Sequence, residues 1–220
     1  MTKLSRSKLE LFLDCPRCFW LDMNKKLRRV PPAPYTINLA IDSLLKEEFD
    51  ICREKAQPHY IMKKNNIDAV PFKCQQIDDW RNNFTGIQSM HQPSGFLVFG
   101  ALDDIWIDSK GELSVVDYKA TGAKEYKIYD SYKRQIEVYQ WLLKQNDYKV
   151  SKVGYFVFAK VNKSKGFPEG KLAFDLFVEP LEADCSWVEG KIFAARKILD
   201  SPMPVYSENC KYCNYVQAAK

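Results

Sequence analysis

Two aspartates and a lysine occupy positions that the strand pattern assigns to an apolar face. Asp117 and Lys119 lie two residues apart in a β-rich run over residues 113–119, and a second such run covers residues 103–108. Successive side chains of a strand alternate between its faces, so Asp117 and Lys119 project to the same side. The Ser-Lys-Gly at residues 109–111 has the composition of a hairpin turn. The sequence therefore predicts an antiparallel hairpin that carries these charges.

The register of this hairpin brings a second acid opposite Asp117. Pairing Ile105 with Val115 keeps one apolar face continuous and places Asp103 across from Asp117, whereas a shift of one residue destroys that agreement. Two carboxylates at cross-strand distance repel each other unless a proton or a cation lies between them. Carboxylate oxygens suit Mg²⁺ or Mn²⁺, and Lys119 would position a water molecule or stabilise phosphate charge. The hairpin is thus a candidate metal site.

A helix predicted over residues 131–144 follows the hairpin and carries two further polar candidates. Gln135 and Tyr139 are four residues apart, so they share a face and can reach the strand ends or a nucleic-acid backbone together. For Tyr139, packing with Ile136 and Leu143 in the core is an equal alternative.

The order Asp…Asp-x-Lys followed by Gln-x-x-x-Tyr resembles the RecB-like branch of the PD-(D/E)XK nuclease superfamily. In this resemblance, Asp103, Asp117 and Lys119 take the metal-ligand and catalytic-lysine positions, and Gln135 and Tyr139 take those of the helix motif. The resemblance implies an α/β fold with a restriction-endonuclease-like core, in which helices flank a small mixed β-sheet. It also implies hydrolysis of phosphodiester bonds by water that a bound metal activates, without a covalent enzyme intermediate.

Members of that family also take a metal ligand from an upstream helix, usually a histidine or an acid. The helix predicted over residues 36–55 contains no histidine, and two acids compete for the role. Asp42 aligns with the family motif, whereas Glu48 falls near the centre of the apolar stripe, where an unpaired acid would be costly. We favour Glu48 on this inward projection and keep Asp42 as the alternative. The stripe consists of Ile37, Ile41, Leu44, Leu45 and Cys52.

Cysteine spacing predicts a second metal centre. Cys15 and Cys18 form one C-x-x-C pair near the start of the chain, and Cys210 and Cys213 form another near its end. Four thiolates can hold either Zn²⁺ or a [4Fe–4S] cluster. The pattern partly resembles the CRISPR-associated RecB-like nucleases, in which one N-terminal and three C-terminal cysteines hold an iron–sulphur cluster, and this resemblance favours the cluster. The last C-terminal cysteine of that pattern is missing here, and Cys18 would replace it.

Length and composition predict one domain over residues 1–220, since 220 residues with 46% hydrophobic content suffice for one core but not for two. Residues 1–30 and 200–220 would form the four-cysteine joint, and residues 58–93 are interpreted as a helical insertion or lid. No secretory signal or membrane-spanning run is recognised, so we expect a cytoplasmic protein with reduced thiols and no membrane contact. The other cysteines are interpreted as small buried apolar residues: Cys52, Cys74 and Cys185.

A net charge of +5 permits binding to nucleic acid without demonstrating it. Basic residues at 25–29 and 160–165 could follow a phosphate backbone, and Tyr126, Tyr129 and Tyr132 could stack on unpaired bases. The sequence favours a metal-dependent deoxyribonuclease that acts on DNA ends, as an exonuclease, or on single strands. Repair, recombination or processing of foreign DNA would be its setting, with a helicase, an integrase or another repair protein as partner. The alternatives are a catalytically inactive nuclease fold that binds DNA or a partner protein, and an RNA-processing nuclease.

Overall fold

The computed structural model describes residues 1–219, which form two β-sheets flanked by helices. The strands are β1 (Thr2–Ser5), β2 (Val70–Pro71), β3 (Ile87–His91), β4 (Phe96–Gly100), β5 (Asp104–Ile107), β6 (Leu113–Thr121), β7 (Val153–Val161) and β8 (Phe174–Glu182). The helices are α1 (Arg6–Asp14), α2 (Pro16–Lys25), α3 (Thr36–Glu54), α4 (Tyr60–Lys64), α5 (Ile77–Arg81), α6 (Asp130–Gln145), α7 (Trp187–Leu199) and α8 (Lys211–Ala218). The larger sheet has the order β2-β5-β6-β7-β8 and the smaller one β1-β4-β3. The α/β class with mixed sheets and flanking helices is confirmed.

The hairpin of β5 and β6 has the register that the sequence predicts. The two strands are antiparallel, with Ile105 opposite Val115 and Ile107 opposite Leu113. Strand β6 then pairs in parallel with β7. Parallel neighbours need a long crossover, and α6 provides it.

Strand β6 separates two hydrophobic cores because its side chains alternate between the faces of the sheet. Val115 packs with residues of α1, α6, α7 and the smaller sheet, whereas Val116 and Tyr118 pack with α3 and α4 on the other side. Asp117 and Lys119 continue the series of Val115, so both emerge on the side of α6. The alternation that makes β6 a central strand thus also aims its charged residues.

Helix α3 is present as predicted, but its buried face differs from the predicted stripe. Leu45, Phe49 and Arg53 are buried, while Ile37 and Leu44 are each 57% exposed. The buried residues follow an i, i+4, i+8 row, which is the face that packs on Trp106 and Tyr118 of the hairpin. Arg53 could not be identified as buried from the pattern, because its charge is neutralised by a carboxylate that is distant in sequence.

Residues 58–93, interpreted from the sequence as a helical insertion or lid, are only partly helical. They contain the short helices α4 and α5 and supply a strand to each sheet. Val70 of β2 pairs with Ile107, and Met90 of β3 pairs with Leu97. This segment is therefore part of both sheets, a role that its short apolar runs did not reveal.

Element boundaries near the end of the chain also differ from the predictions. The sequence pattern predicts strands over residues 153–159 and 172–178 and a helix over residues 184–199, whereas the structure has β7, β8 and α7 over Val153–Val161, Phe174–Glu182 and Trp187–Leu199. Strand β8 includes Pro180, which an edge strand accommodates. Strand β1 was not predicted. Among residues 1–219, none of the helices combines the length and apolar character needed to cross a bilayer.

The chain enters β3 through a glycine that tolerates no side chain. Gly86 has φ of +59°, and a Cβ built there would lie 2.4 Å from the carbonyl oxygen of Gly100. Gly111, in the β5–β6 turn, also has positive φ, of +75°, but a Cβ there would meet nothing within 4 Å.

We expect Gly86→Ala to destabilise the protein considerably more than Gly111→Ala. Both substitutions force alanine into the left-handed region at a cost of about 1–2 kcal/mol, but only Gly86→Ala adds a collision with backbone. Thermal unfolding of the two variants beside the parent protein measures the difference. Equal losses in Tm would show that the approach of Gly86 to Gly100 is not a constraint.

Candidate functional site

A cavity of about 410 Å³ opens where the hairpin, α3 and α6 meet, and six of the residues that line it are charged. The hairpin contributes Asp103 and Lys119, α3 contributes Asp42 and Lys46, and α6 contributes Gln135. Most of these residues come from elements whose apolar faces are fixed in the cores on either side of β6. The site is therefore built on packed elements rather than on mobile loops.

Asp103 lies opposite Asp117, as the hairpin register requires. Its Oδ2 accepts a hydrogen bond from the backbone N–H of Tyr118 at 2.9 Å, which holds the carboxylate against β6. The Lys46 ammonium lies 2.7 Å from Asp42 Oδ2 and 3.3 Å from Asp103 Oδ1. Burial and the nearby charge of Asp103 raise the pKa of Asp42. The two carboxylates thus converge on one cationic position.

The carboxylate of Asp117 is 1% exposed and has few partners. It contacts the ammonium of Lys119, yet within residues 1–219 neither of its buried oxygens accepts a hydrogen bond of regular geometry. Burial, with a smaller effect of the Asp103 charge, raises its pKa to about 7, against the opposing charge of Lys119. Buried acceptor oxygens that lack donors are suited to a cation.

The two candidates on α6 have different surroundings. Gln135 lines the cavity beside Asp103. Tyr139 is buried in the core that also holds Ile136 and Leu143, and its hydroxyl donates a hydrogen bond to the carbonyl oxygen of Ala101. Tyr139 therefore packs in the core, which is the alternative that the sequence left open. Its hydrogen bond to Ala101 also holds the backbone just before Asp103.

The structure does not bring Glu48 into this cavity. Its side chain is 49% exposed, and its Oε1 lies 2.7 Å from Nε2 of His59. The expected inward projection is wrong, because the neighbouring positions Leu45 and Phe49 face the sheet and turn Glu48 toward α4. Asp42, the alternative, is the α3 acid that shares a cation with Asp103.

A buried ion network behind the cavity was missed by sequence reasoning. Asp104 is fully buried and accepts hydrogen bonds from Arg53 and from the hydroxyl of Tyr118, the latter at 2.6 Å. Arg81 donates from Nε to the carbonyl oxygen of Asp103 at 2.9 Å and binds Asp50 with both terminal nitrogens. Spacing gives no signal for this network because its members come from α3, α5 and the hairpin. Lys46, by contrast, could have been found as the i+4 partner of Asp42.

The four cysteines of the two C-x-x-C pairs lie together. All their sulphur atoms are within 4.8 Å of one another, as in a site that holds a metal ion. The Sγ atom of Cys18 is 3.5 Å from that of Cys213 and 3.7 Å from that of Cys210, and Cys15 lies 3.9 Å from Cys213. Four ligand atoms from both ends of the described chain thus converge on one point.

Arg29 supplies positive charge to this cysteine centre. Its Nη2 donates to Cys210 Sγ at 3.2 Å, and its guanidinium also pairs with Asp14 and lies over the ring of Tyr212. Four thiolates carry more negative charge than one divalent ion neutralises, so a neighbouring guanidinium is favourable. Of the remaining cysteines, Cys185 is buried, and Cys52 and Cys74 are partly exposed.

Comparison with known proteins identifies the class of protein that this fold and site define. The sequence profile of the PD-(D/E)XK nuclease superfamily matches residues 38–218, so the chain belongs to this superfamily of metal-dependent nucleases. The solved structure of SSO0001 aligns with 98% of this chain and 84% of its own, at 16% identity and a TM-score of 0.44. No curated protein sequence matches the chain.

The raised pKa of Asp117 predicts a pH-dependent stability in the metal-free protein. A carboxyl whose pKa is higher in the folded state stabilises the fold most below its unfolded pKa, and this stabilisation is lost as the pH rises through about 7. In EDTA, raising the pH from about 5.5 to 8.5 should lower the Tm of the parent relative to that of Asp117→Asn by roughly 5 °C or more. Thermal unfolding at several pH values measures this, with Asp78→Asn at an exposed position of α5 as control. Parallel pH profiles of the parent and Asp117→Asn would contradict the buried, unsatisfied carboxylate.

Proposed function

We propose that the chain is a Mg²⁺- or Mn²⁺-dependent nuclease that hydrolyses DNA phosphodiester bonds at ends or in single strands. The observation that carries this proposal is the pair of opposed acids: Asp103 lines the open cavity together with Lys119, and Asp117 lies buried in contact with Lys119. The unsatisfied oxygens of Asp117 fit a divalent cation, because carboxylates are the ligands that Mg²⁺ and Mn²⁺ prefer.

In this proposal three acids from two parts of the fold would bind the metal. Asp103 and Asp117 are its ligands from the hairpin, and Asp42 replaces Glu48 as the acid from α3. When bound, the metal polarises the phosphate and lowers the pKa of the attacking water. Lys46, which neutralises Asp42 and Asp103 in the structure, would be displaced from between them and remain available to phosphate oxygens.

Lys119 is placed to act on the substrate. Its ammonium contacts Asp117 and lies 4.8 Å from the centre of the Tyr132 ring, which restricts its position at the cavity wall. There it would orient the water or stabilise the negative charge that develops on the phosphate. Gln135, which lines the same cavity, would contribute its amide.

Of the three tyrosines that could stack on unpaired bases, two are engaged in contacts within the protein. Tyr126 stacks on Phe158 and donates its hydroxyl to Glu179, so its ring is engaged within the protein. Tyr132 lies beneath Lys119. Tyr129 is 52% exposed and directly precedes α6, and it remains the candidate for stacking on an unpaired base.

Two alternative functions would be revealed by a nuclease assay. An inactive DNA-binding or partner-binding module is disfavoured because Asp103, Lys119 and the α3 acid Asp42 line one cavity, and the buried Asp117 contacts Lys119. An RNA-processing nuclease would use the same metal chemistry, since hydrolysis of a phosphodiester does not dictate the sugar. Roles in repair, recombination or foreign-DNA processing, with a helicase or an integrase as partner, belong to the same proposal.

We expect Asp117→Ala and Lys119→Ala each to lower the cleavage rate by roughly a thousandfold or more while the protein stays folded. Labelled single- and double-stranded DNA and RNA, incubated with Mg²⁺, Mn²⁺ or EDTA, measure both the activity and the preferred sugar. Asp42→Asn should lower the activity and the affinity for Mn²⁺, whereas Glu48→Gln, its matched control on α3, should leave both near the parent values. Full activity of purified Asp117→Ala would refute the assignment, and a larger effect of Glu48→Gln would return the α3 role to Glu48.

For the cysteine centre we propose a single Zn²⁺ ion. The resemblance to iron–sulphur nucleases favoured a cluster, but the separations between the sulphur atoms support zinc. Zinc bonds of about 2.3 Å in a tetrahedron place thiolates about 3.8 Å apart, and the close pairs here are separated by 3.5 to 3.9 Å. In a [4Fe–4S] cluster each thiolate binds a different iron, so the sulphur atoms stand farther apart.

Purified protein should therefore be colourless and contain about one zinc per chain. Cys15→Ser and Cys210→Ser should each lower the Tm strongly, because the centre links segments almost 200 residues apart in sequence. Cys52→Ser should have a mild effect and serves as control. Elemental analysis and absorption spectra of anaerobically purified protein provide the measurement. Brown protein that contains iron and sulphide would restore the cluster, and protein without either metal would remove the centre altogether.

A further inference from the structure

One cation at the active cavity lacks an ionic partner. The cavity is lined by four cationic side chains: Arg6, Lys46, Arg81 and Lys119. Lys46, Arg81 and Lys119 each form an ion pair with an aspartate. Arg6, by contrast, pairs with no carboxylate anywhere in residues 1–219. A guanidinium that faces a cleft without a counter-ion is suited to an anionic ligand.

Arg6 also lines an adjoining cavity of about 250 Å³ whose wall is rich in donors. Ser5, Ser7, Asn83 and Gln135 face this second cavity. Arg6, Asp103 and Gln135 line both cavities, so the second cavity adjoins the candidate metal site at these residues. Hydroxyl, amide and guanidinium groups are the side-chain groups that bind phosphate oxygens.

The base of the Arg6 side chain is held in place by close packing. A Cβ built at Gly100 would lie 3.2 Å from the Cβ of Arg6 and 2.6 Å from the Tyr139 ring, so the missing side chain of Gly100 allows both residues to approach the end of β4. Burial raises the pKa of Tyr139 to about 12, and the charge of Arg6 opposes that effect. Arg6, Tyr139 and Asp103 thus line the same second cavity.

We infer that Arg6, with the hydroxyls of Ser5 and Ser7 and the amide of Gln135, binds a backbone phosphate next to the one that is cleaved. This inference rests on the proposed function and adds a second phosphate contact to it. The guanidinium binds two phosphate oxygens at once, which a lysine at the same position would not reproduce. Since backbone phosphates are the same in every sequence, the contact contributes affinity and register rather than base preference.

The test uses single-stranded DNA in which one linkage at a time, on either side of the cleaved bond, is an uncharged methylphosphonate. For the parent protein, kcat/KM should fall about tenfold at the one linkage that Arg6 contacts. Arg6→Ala should show a similar loss on unmodified DNA and no further loss at that linkage. Arg6→Lys should recover part of the activity, because it restores the charge without the two-pronged contact.

Two controls separate this contact from a general effect of charge or of folding. Arg196→Ala, on α7 and paired with Asp200, should behave like the parent at every linkage. The affinity of Arg6→Ala for Mn²⁺, measured by titration calorimetry without DNA, should be no lower than that of the parent, because the charge of Arg6 acts against a cation at Asp117. The slope of log K against log salt for DNA binding in Ca²⁺ should fall by about 0.7 for the one lost phosphate contact.

The outcomes distinguish the subsite from the proposed function. If Arg6→Ala and the methylphosphonate lower kcat/KM independently, so that their effects multiply at every linkage, the subsite is overturned. Weakened Mn²⁺ binding by Arg6→Ala would also overturn it. If the parent cleaves DNA and Arg6→Ala matches it throughout, the subsite alone is wrong. If the parent protein neither binds nor cleaves DNA, the proposed function itself fails.

Discussion

The burial of the Asp117 carboxylate is the interaction on which the site depends. An ionised carboxylate that is 1% exposed is unfavourable unless positive charge surrounds it. The strand register supplies Lys119 on the same face and a second acid across the hairpin, so the local field attracts a cation and not merely a proton. The central position of β6 makes this possible, because the strands and helices on both sides exclude water from its end.

Two consecutive aspartates at the start of β5 have opposite roles because strand side chains alternate. Asp103 turns toward the cavity, whereas Asp104 turns toward α3, where Arg53 neutralises its charge and the Tyr118 hydroxyl donates a hydrogen bond to it. Removing one partner from such a buried pair leaves an uncompensated charge, which is strongly destabilising. The network of Asp104 therefore fixes the strand that presents Asp103, and it connects α3 and α5 to the geometry of the proposed metal site.

The hairpin could be predicted from the sequence because one register alone satisfies both its apolar face and its turn. The helix that bears Gln135 and the convergence of the four cysteines also followed from spacing. The choice between Asp42 and Glu48 did not, since it depended on which side of α3 meets the sheet. That side includes Arg53, a buried cation whose partner lies 51 residues further along the chain, and hydrophobic periodicity carries no information about such a pair. The strands within residues 58–93 were missed for a similar reason, because short pieces gain their pairing from strands far away in sequence.

Helix α1 joins the two chemical centres of the molecule. Arg6 is its first residue, and Cys15 lies between its last residue and the first residue of α2. Nine helical residues span about 14 Å and behave as a stiff rod. In the function proposed above, loss of the metal ion from the four cysteines would release one end of this rod, while its other end carries Arg6 at the cavity. Thiol oxidation or chelation at the cysteines would then change how the nuclease binds its substrate, even though no cysteine within residues 1–219 lines that cavity.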